Sequence, residues 1–155
     1  MSAEQSVVGL HIVDTSLSVT DALDRLEAIA IAHGLTVFAR IDFSADAARA
    51  GLPLPATETL LLGNAKAGTP LMAAQPTVAI DLPLRVLGWT DAAGKARLAF
   101  NDPEFLQKRH GFPSALIKNI AGLAALVAEA AQEDSAPAGI TAAGVAQVTG
   151  AGERQ

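Results

Sequence analysis

The apolar residues of this chain change period along its length, and the order of those changes constrains the fold more than any other feature. Alternate apolar positions mark strands, and rows at i, i+3 and i+4 mark helices. Residues 7–13 alternate, with Val7, Gly9, His11 and Val13 on one side and Val8, Leu10 and Ile12 on the other. From Val19 to His33 the spacing becomes helical: Val19, Ala22, Leu23, Leu26, Ile29 and Ala30 form one stripe. Ser18 is a good N-cap for that helix, Asp21 suits its positive end, and Gly34 accepts the left-handed conformation that ends it.

Alternation returns over residues 35–41, with Leu35, Val37, Ala39 and Ile41 opposite Thr36, Phe38, Arg40 and Asp42. Ser44 is expected to cap a short Ala-rich helix ending at Gly51, and Leu52-Pro53-Leu54-Pro55 is extended. Residues 58–63 read as a third strand. The turn from Gly63 to Gly68 then leads to Thr69-Pro70, read as N-cap and N1 of a short helix ending near Gln75. Residues 77–82 alternate and predict a fourth strand, closed by Pro83. Residues 85–90 and 95–100 form a hairpin around Asp91-Ala92-Ala93-Gly94. Asp102-Pro103 starts a helix that Gly111 stops. Pro113 opens a long one to about Gln132, with Leu116, Ile117, Ile120, Leu123, Ala124 and Val127 inward.

The pattern predicts an α+β protein: a single, mostly antiparallel sheet with two long helices on one face, over residues 1–132. The apolar rows should close around one interior, Leu23, Leu26, Ile80, Leu123 and Val127 included. The other sheet face is left either solvated or dimerised. Residues 133–155 are Ala, Gly and Thr with few large apolar side chains, and read as a flexible C-terminal tail.

Charge narrows the partners. The net charge is −5, and the 11 Lys and Arg are scattered. Nucleic acids and anionic membranes need a basic stripe, so neither is expected. No cysteine is present, which removes disulfides, thiolate nucleophiles and Cys-ligated metals. Met1 to Val8 does not read as a secretory leader, and no run approaches the ~20 apolar residues of a spanning helix. A cytoplasmic location is the expectation. Charged residues are only 17% of the chain, and the polar surface that this omits fits an oligomer interface.

Four ordered motifs carry a resemblance. They are residues 34–42, Gly63-Asn64 with residues 66–72, residues 79–85, and Asn101-Asp102-Pro103 with Arg109-His110-Gly111. The chain resembles the bacterial and archaeal family called domain of unknown function 302, over roughly residues 7–131. The resemblance implies a TATA-binding-protein-like β-α-β(4)-α arrangement, usually a homodimer, and implies no activity. Family members often have His where this chain has Phe43 and Pro where it has Ala65. The first difference removes a titratable group beside Asp42.

Two constellations are candidates for a site. The first is the Gly-rich turn of Asn64, Lys66, Gly68 and Thr69, where helix-start N–H groups and a lysine favour an anion. The structural alternative is a tight turn and a cap. The second is the set of strand charges Arg40, Asp42, Glu58, Asp81 and Arg85. Desolvating a charge costs several kcal/mol unless it is paired, so these groups imply either ion pairs or a lined cleft. As ion pairs, Asp42 or Asp81 would meet Arg40 or Arg85. In a cleft, Asp42, Glu58 or Asp81 would serve as general acid or base. His11, His33 and His110 lack metal-ligand spacing; His33 and His110 are explained as helix-end cations, and His11, in a strand, reads as a buried hydrogen-bonded residue or a ligand. Trp89 and Met72 read as core or interface. No cofactor or metal is called for. Three readings remain: a homodimeric binding or accessory module for a small anionic or apolar ligand, an acid–base enzyme, and a structural interaction partner.

Overall fold

The structure is a computed structural model and describes residues 6–133. The tail expected beyond residue 133 lies outside the described residues. The elements begin with strand β1 (Leu10–Asp14), helix α1 (Val19–Ala32), β2 (Thr36–Asp42), α2 (Phe43–Arg49) and β3 (Thr57–Gly63). They continue with α3 (Ala65–Ala74), a 3₁₀ segment (Pro76–Asp81), β4 (Leu84–Thr90), β5 (Ala96–Asn101) and α4 (Pro103–His110). A 3₁₀ turn (Ser114–Leu116) leads into α5 (Lys118–Ala121) and α6 (Leu123–Ala130). With the short pieces set aside, the order is strand, helix, four strands and helix. One antiparallel sheet runs β1-β5-β4-β3-β2, so the fold is α+β as expected.

Helix α1 forms as its sequence dictates. Ser18 Oγ accepts from Asp21 N at 3.0 Å. At the other end Leu35 N reaches Ala30 O and Gly34 N reaches Ile31 O, a Schellman closure that needs the positive φ of Gly34. Leu23 and Leu26 of α1 pack with Leu60, Leu62, Val86, Leu98 and the α6 residues Leu126 and Val127. Each large side chain buried there contributes about 1.5–3 kcal/mol. Close approach of α1 to the sheet is possible because Gly88 has no side chain: a Cβ there would lie 2.9 Å from Val19 Cγ1.

Several local expectations are corrected. Residues 77–82 are not a strand. Pro76 starts a 3₁₀ segment instead, and its period of three puts Val78 and Asp81 on one side, towards α4. Ile80 therefore faces water at 69% exposure. The interior divides in two: the main core under α1 and α6, and a second cluster of Leu71, Val78, Leu106, Phe112 and Ile120. Leu84 packs against both. Helix α2 is capped by Asp42, not Ser44. Helix α3 starts at Ala65 with Asn64 as cap, so Thr69 and Pro70 lie inside it. The long C-terminal helix runs as α5 and α6, with Leu126 buried and Ala124 exposed.

Strand β2 departs from simple alternation as well. Val37 pairs with Leu62 and Ala39 with Leu61, leaving Phe38 as a bulge. The extra residue reverses the facing of the rest of the strand. Arg40 pairs with the core residue Leu60, and so projects to the helix side rather than away from it.

Candidate functional site

The strand charges do not converge. Arg40 sits under α1, where Nη1 donates to Asp24 Oδ1 at 2.5 Å and Nε to Glu58 Oε1 at 3.1 Å. Its Nη2 donates to the Thr20 carbonyl at 3.2 Å. Glu58 is only 6% exposed, and its second oxygen accepts from Thr20 Oγ1 at 2.7 Å. Burial by itself lowers the Arg40 pKa, but the Asp24 hydrogen bond and the Glu58 charge outweigh it and raise the pKa above its ordinary value. Arg40 and Glu58 thus form a closed structural pair, not an acid and a base open to substrate.

Asp42 caps α2, accepting from Ala45 N at 2.9 Å and from Ser44 Oγ at 2.6 Å. The Ser44 hydroxyl and then the Ala45 N–H stabilise the carboxylate and lower its pKa. That is the wrong direction for a general acid near neutral pH. Asp81 meets neither Arg40 nor Arg85. It accepts from Arg109 Nη1 at 3.0 and 3.1 Å and lies 2.5 Å from His110 Nε2. The other ring nitrogen, Nδ1, lies 3.0 Å from the Thr77 hydroxyl. With Gln75 Nε2 donating to the His110 carbonyl, these bonds clamp the 3₁₀ segment to α4. Arg85 is exposed on the sheet face away from the helices, opposite Leu61. The ring of His11 packs against Phe100 at 5.0 Å. Among the described residues no group of three or more His, Cys, Asp or Glu is placed to hold a metal ion.

The Gly-rich stretch has a different surrounding. It borders a cavity of about 650 Å³ on the helix side of the sheet, between α3, the end of α1, the 3₁₀ segment and α5–α6. Leu35, Phe38, Leu82, Leu84, Leu123 and Leu126 make much of the wall. Among the described residues its polar side chains are His33, Asn64, Thr69 and Asn119, and none is Asp, Glu, Lys or Arg. Of the residues singled out from sequence, Asn64, Gly68 and Thr69 border this cavity, whereas Arg40, Asp42, Lys66, Asp81 and Arg85 do not. His33 and Asn119 were not expected there. The one sequence signal for Asn119 is an amide inside an otherwise apolar helical run.

Asn64, Asn119 and His33 are each half used. Asn64 Oδ1 accepts from Lys66 N at 2.8 Å and caps α3. Asn119 Nδ2 donates to Ala67 O at 3.1 Å and ties α5 to the same turn. His33 Nδ1 donates to Ile29 O at 2.9 Å.

A family model described as domain of unknown function DUF302 matches residues 11–130. The chain belongs to that family. A solved structure, an uncharacterized conserved DUF302 protein from Bacillus stearothermophilus, superposes with a TM-score of 0.67 at 17% identity, covering 81% of this chain and 97% of that one. That likeness establishes the DUF302 fold. Among curated proteins, the fluoride-specific ion channel FluC 1 of Brucella suis biovar 1 (strain 1330) is 44% identical over 102 residues, which are 66% of this chain and 40% of the channel. The channel of the same name from Brucella abortus biovar 1 (strain 9-941) matches equally, over 38% of its length. The DUF302 chain therefore spans about two fifths of the curated relatives it matches. No described helix is long and apolar enough to cross a membrane.

Proposed function

We propose that this DUF302 chain is a binding module for a small apolar molecule held in the cavity between α3 and α5–α6. The single observation that carries this reading is the lining of that cavity, which is largely aliphatic and, among the described residues, has no permanently charged side chain. Ligand sites of about 300–1,000 Å³ with apolar walls and a few polar groups are the usual pattern. An uncharged wall disfavours the anion that the Gly-rich turn suggested, because nothing repays its desolvation. The acid–base reading loses support for a separate reason: Asp42, Glu58 and Asp81 are each committed to caps or ion pairs away from the cavity.

The same proposal includes a homodimer and a cytoplasmic location. The sheet face without helices carries Leu61, Leu87 and Trp89 beside Ile41, a surface suited to a second copy. Light scattering should report twice the 15.8 kDa chain mass, and a monomer would remove the dimer from the proposal.

The test of binding uses the neutral fluorophore N-phenyl-1-naphthylamine. Saturable fluorescence enhancement is expected, with about one site per chain. Gly68→Phe, which places a ring in the cavity, should abolish it. Enhancement that never saturates, or that Gly68→Phe leaves intact, overturns the reading.

A second reading rests on the relatives. A segment similar to this chain occupies two fifths of proteins named as fluoride-specific ion channels, which fits an accessory unit of a transport protein. Fluoride efflux from vesicles carrying the Brucella suis protein, with and without the matching segment, tests it. Equal rates and equal fluoride dependence would discard it.

A further inference from the structure

We infer that the cavity selects an uncharged ligand bearing a carboxamide-type head, a hydrogen-bond acceptor and donor side by side on an apolar body. The inference rests on the binding reading above and names the chemical class that the site would take.

Two side-chain amides border the cavity at the same turn of α3, and the structure settles which end of each is free. The partner of Asn64 is the Lys66 N–H. A backbone N–H only donates, so the bonded atom is the amide oxygen, and the NH₂ of Asn64 remains as a donor. The partner of Asn119 is the Ala67 carbonyl. A carbonyl only accepts, so the bonded atom is the NH₂, and the oxygen of Asn119 remains as an acceptor. The two backbone partners, Lys66 and Ala67, are adjacent residues, so both amides are anchored at the first turn of α3. His33 adds Nε2, since Nδ1 is engaged by Ile29 O.

These groups match a ligand that both accepts and donates. A carboxylate accepts only, and would leave the Asn119 oxygen facing negative charge. An alkylammonium donates only, and would leave the Asn64 NH₂ facing positive charge. Neither finds a counter-charge among the described residues, since no Asp, Glu, Lys or Arg of theirs lines the cavity. An amide, lactam or imide satisfies both ends without bringing a charge out of water, which is where a polar site separates matched from unmatched ligands.

Competition against N-phenyl-1-naphthylamine tests this with four ligands of equal chain length: decanamide, decanol, decanoate and decylamine. Decanamide should displace the fluorophore about tenfold more effectively than decanoate or decylamine, a difference of ~1.4 kcal/mol. Asn64→Asp keeps the capping oxygen of α3 and replaces the donor by an acceptor. It should erase the decanamide advantage and improve decylamine relative to decanoate, each displacement being read against the variant's own fluorophore affinity. A role for Asn64 in capping alone would not produce that exchange. Decanoate or decylamine competing as well as decanamide overturns the head-group inference and leaves the binding reading standing. A fluorophore that does not bind at all overturns both.

Discussion

The two ends of β3 treat charge in opposite ways. At its start, Glu58 is buried and held by Arg40 and Thr20, with Asp24 and Glu27 of α1 around the guanidinium. At its finish, Gly63 opens onto a cavity with no charged side chain in its wall among the described residues. The first end is filled and closed, and the second is open and apolar. The comparison teaches that the charges most visible in the sequence hold the fold together, and that the space available to a ligand lies where the sequence is plainest.

Removing Arg40 should show the largest effect. Arg40→Met leaves Glu58 buried without its partner, and should cost about 3 kcal/mol in urea unfolding. The double variant Arg40→Met with Glu58→Leu should recover most of that loss. A single variant within about 1 kcal/mol of the parent would mean that the closed end is not closed.

Gly88, paired with Glu58, tests the packing of α1 on the sheet beside the closed end. Gly88→Ala puts a methyl group 2.9 Å from Val19 Cγ1 and 3.3 Å from Leu23 and Leu98 side-chain atoms. Overpacking of this kind should cost about 2 kcal/mol by the same measurement. An unchanged midpoint would show that α1 rides looser on the sheet than described.

The open end predicts the reverse sign. A Cβ at Gly68 meets only Leu82 at 3.7 Å and Met72 at 3.9 Å, which is ordinary contact. Gly68→Ala should therefore gain about 0.8 kcal/mol through helix propensity. A loss in thermal denaturation would mean that α3 closes the cavity more tightly than its lining suggests.

The smallest effect is expected at exposed Asp42. Its pKa is lowered in the folded state, so its contribution is present above the ordinary carboxyl range of about 4 and fades as pH falls through the depressed value. Asp42→Asn should lose part of that acid limb in melting temperature against pH. Superimposable acid limbs would show that the cap is not proton-linked.

Much of the fold was legible because local chemistry and tertiary packing agree. Ser18, Gly34 and the stripe through Leu23 and Leu26 define α1, Asp91 to Gly94 turns the hairpin, and Asp102-Pro103 starts α4 as expected. The errors arise where a period of two is a coincidence. Val78 and Ile80 alternate in sequence, yet the segment turns with period three so that Asp81 can reach Arg109 and His110. At Phe38 one extra residue reverses the facing of Arg40, and alternation carries no sign of a bulge. The cavity was the least legible feature. Its wall comes from four separate stretches of the chain, 33–38, 63–72, 79–84 and 119–126, and its apolar members are the residues that any core would use.

The position of β5 has a consequence for how the molecule is made. It lies between β1 and β4, with Leu10 opposite Asn101 and Val86 opposite Phe100. During synthesis the first strand leaves the ribosome long before its only sheet neighbour. β2, β3 and β4 pair in the order of their appearance, and the sheet is finished only when the fifth strand enters a gap bounded by the earliest strand and the one just before it. A nascent chain halted short of Asn101 would display two unsatisfied margins, each a template for another chain.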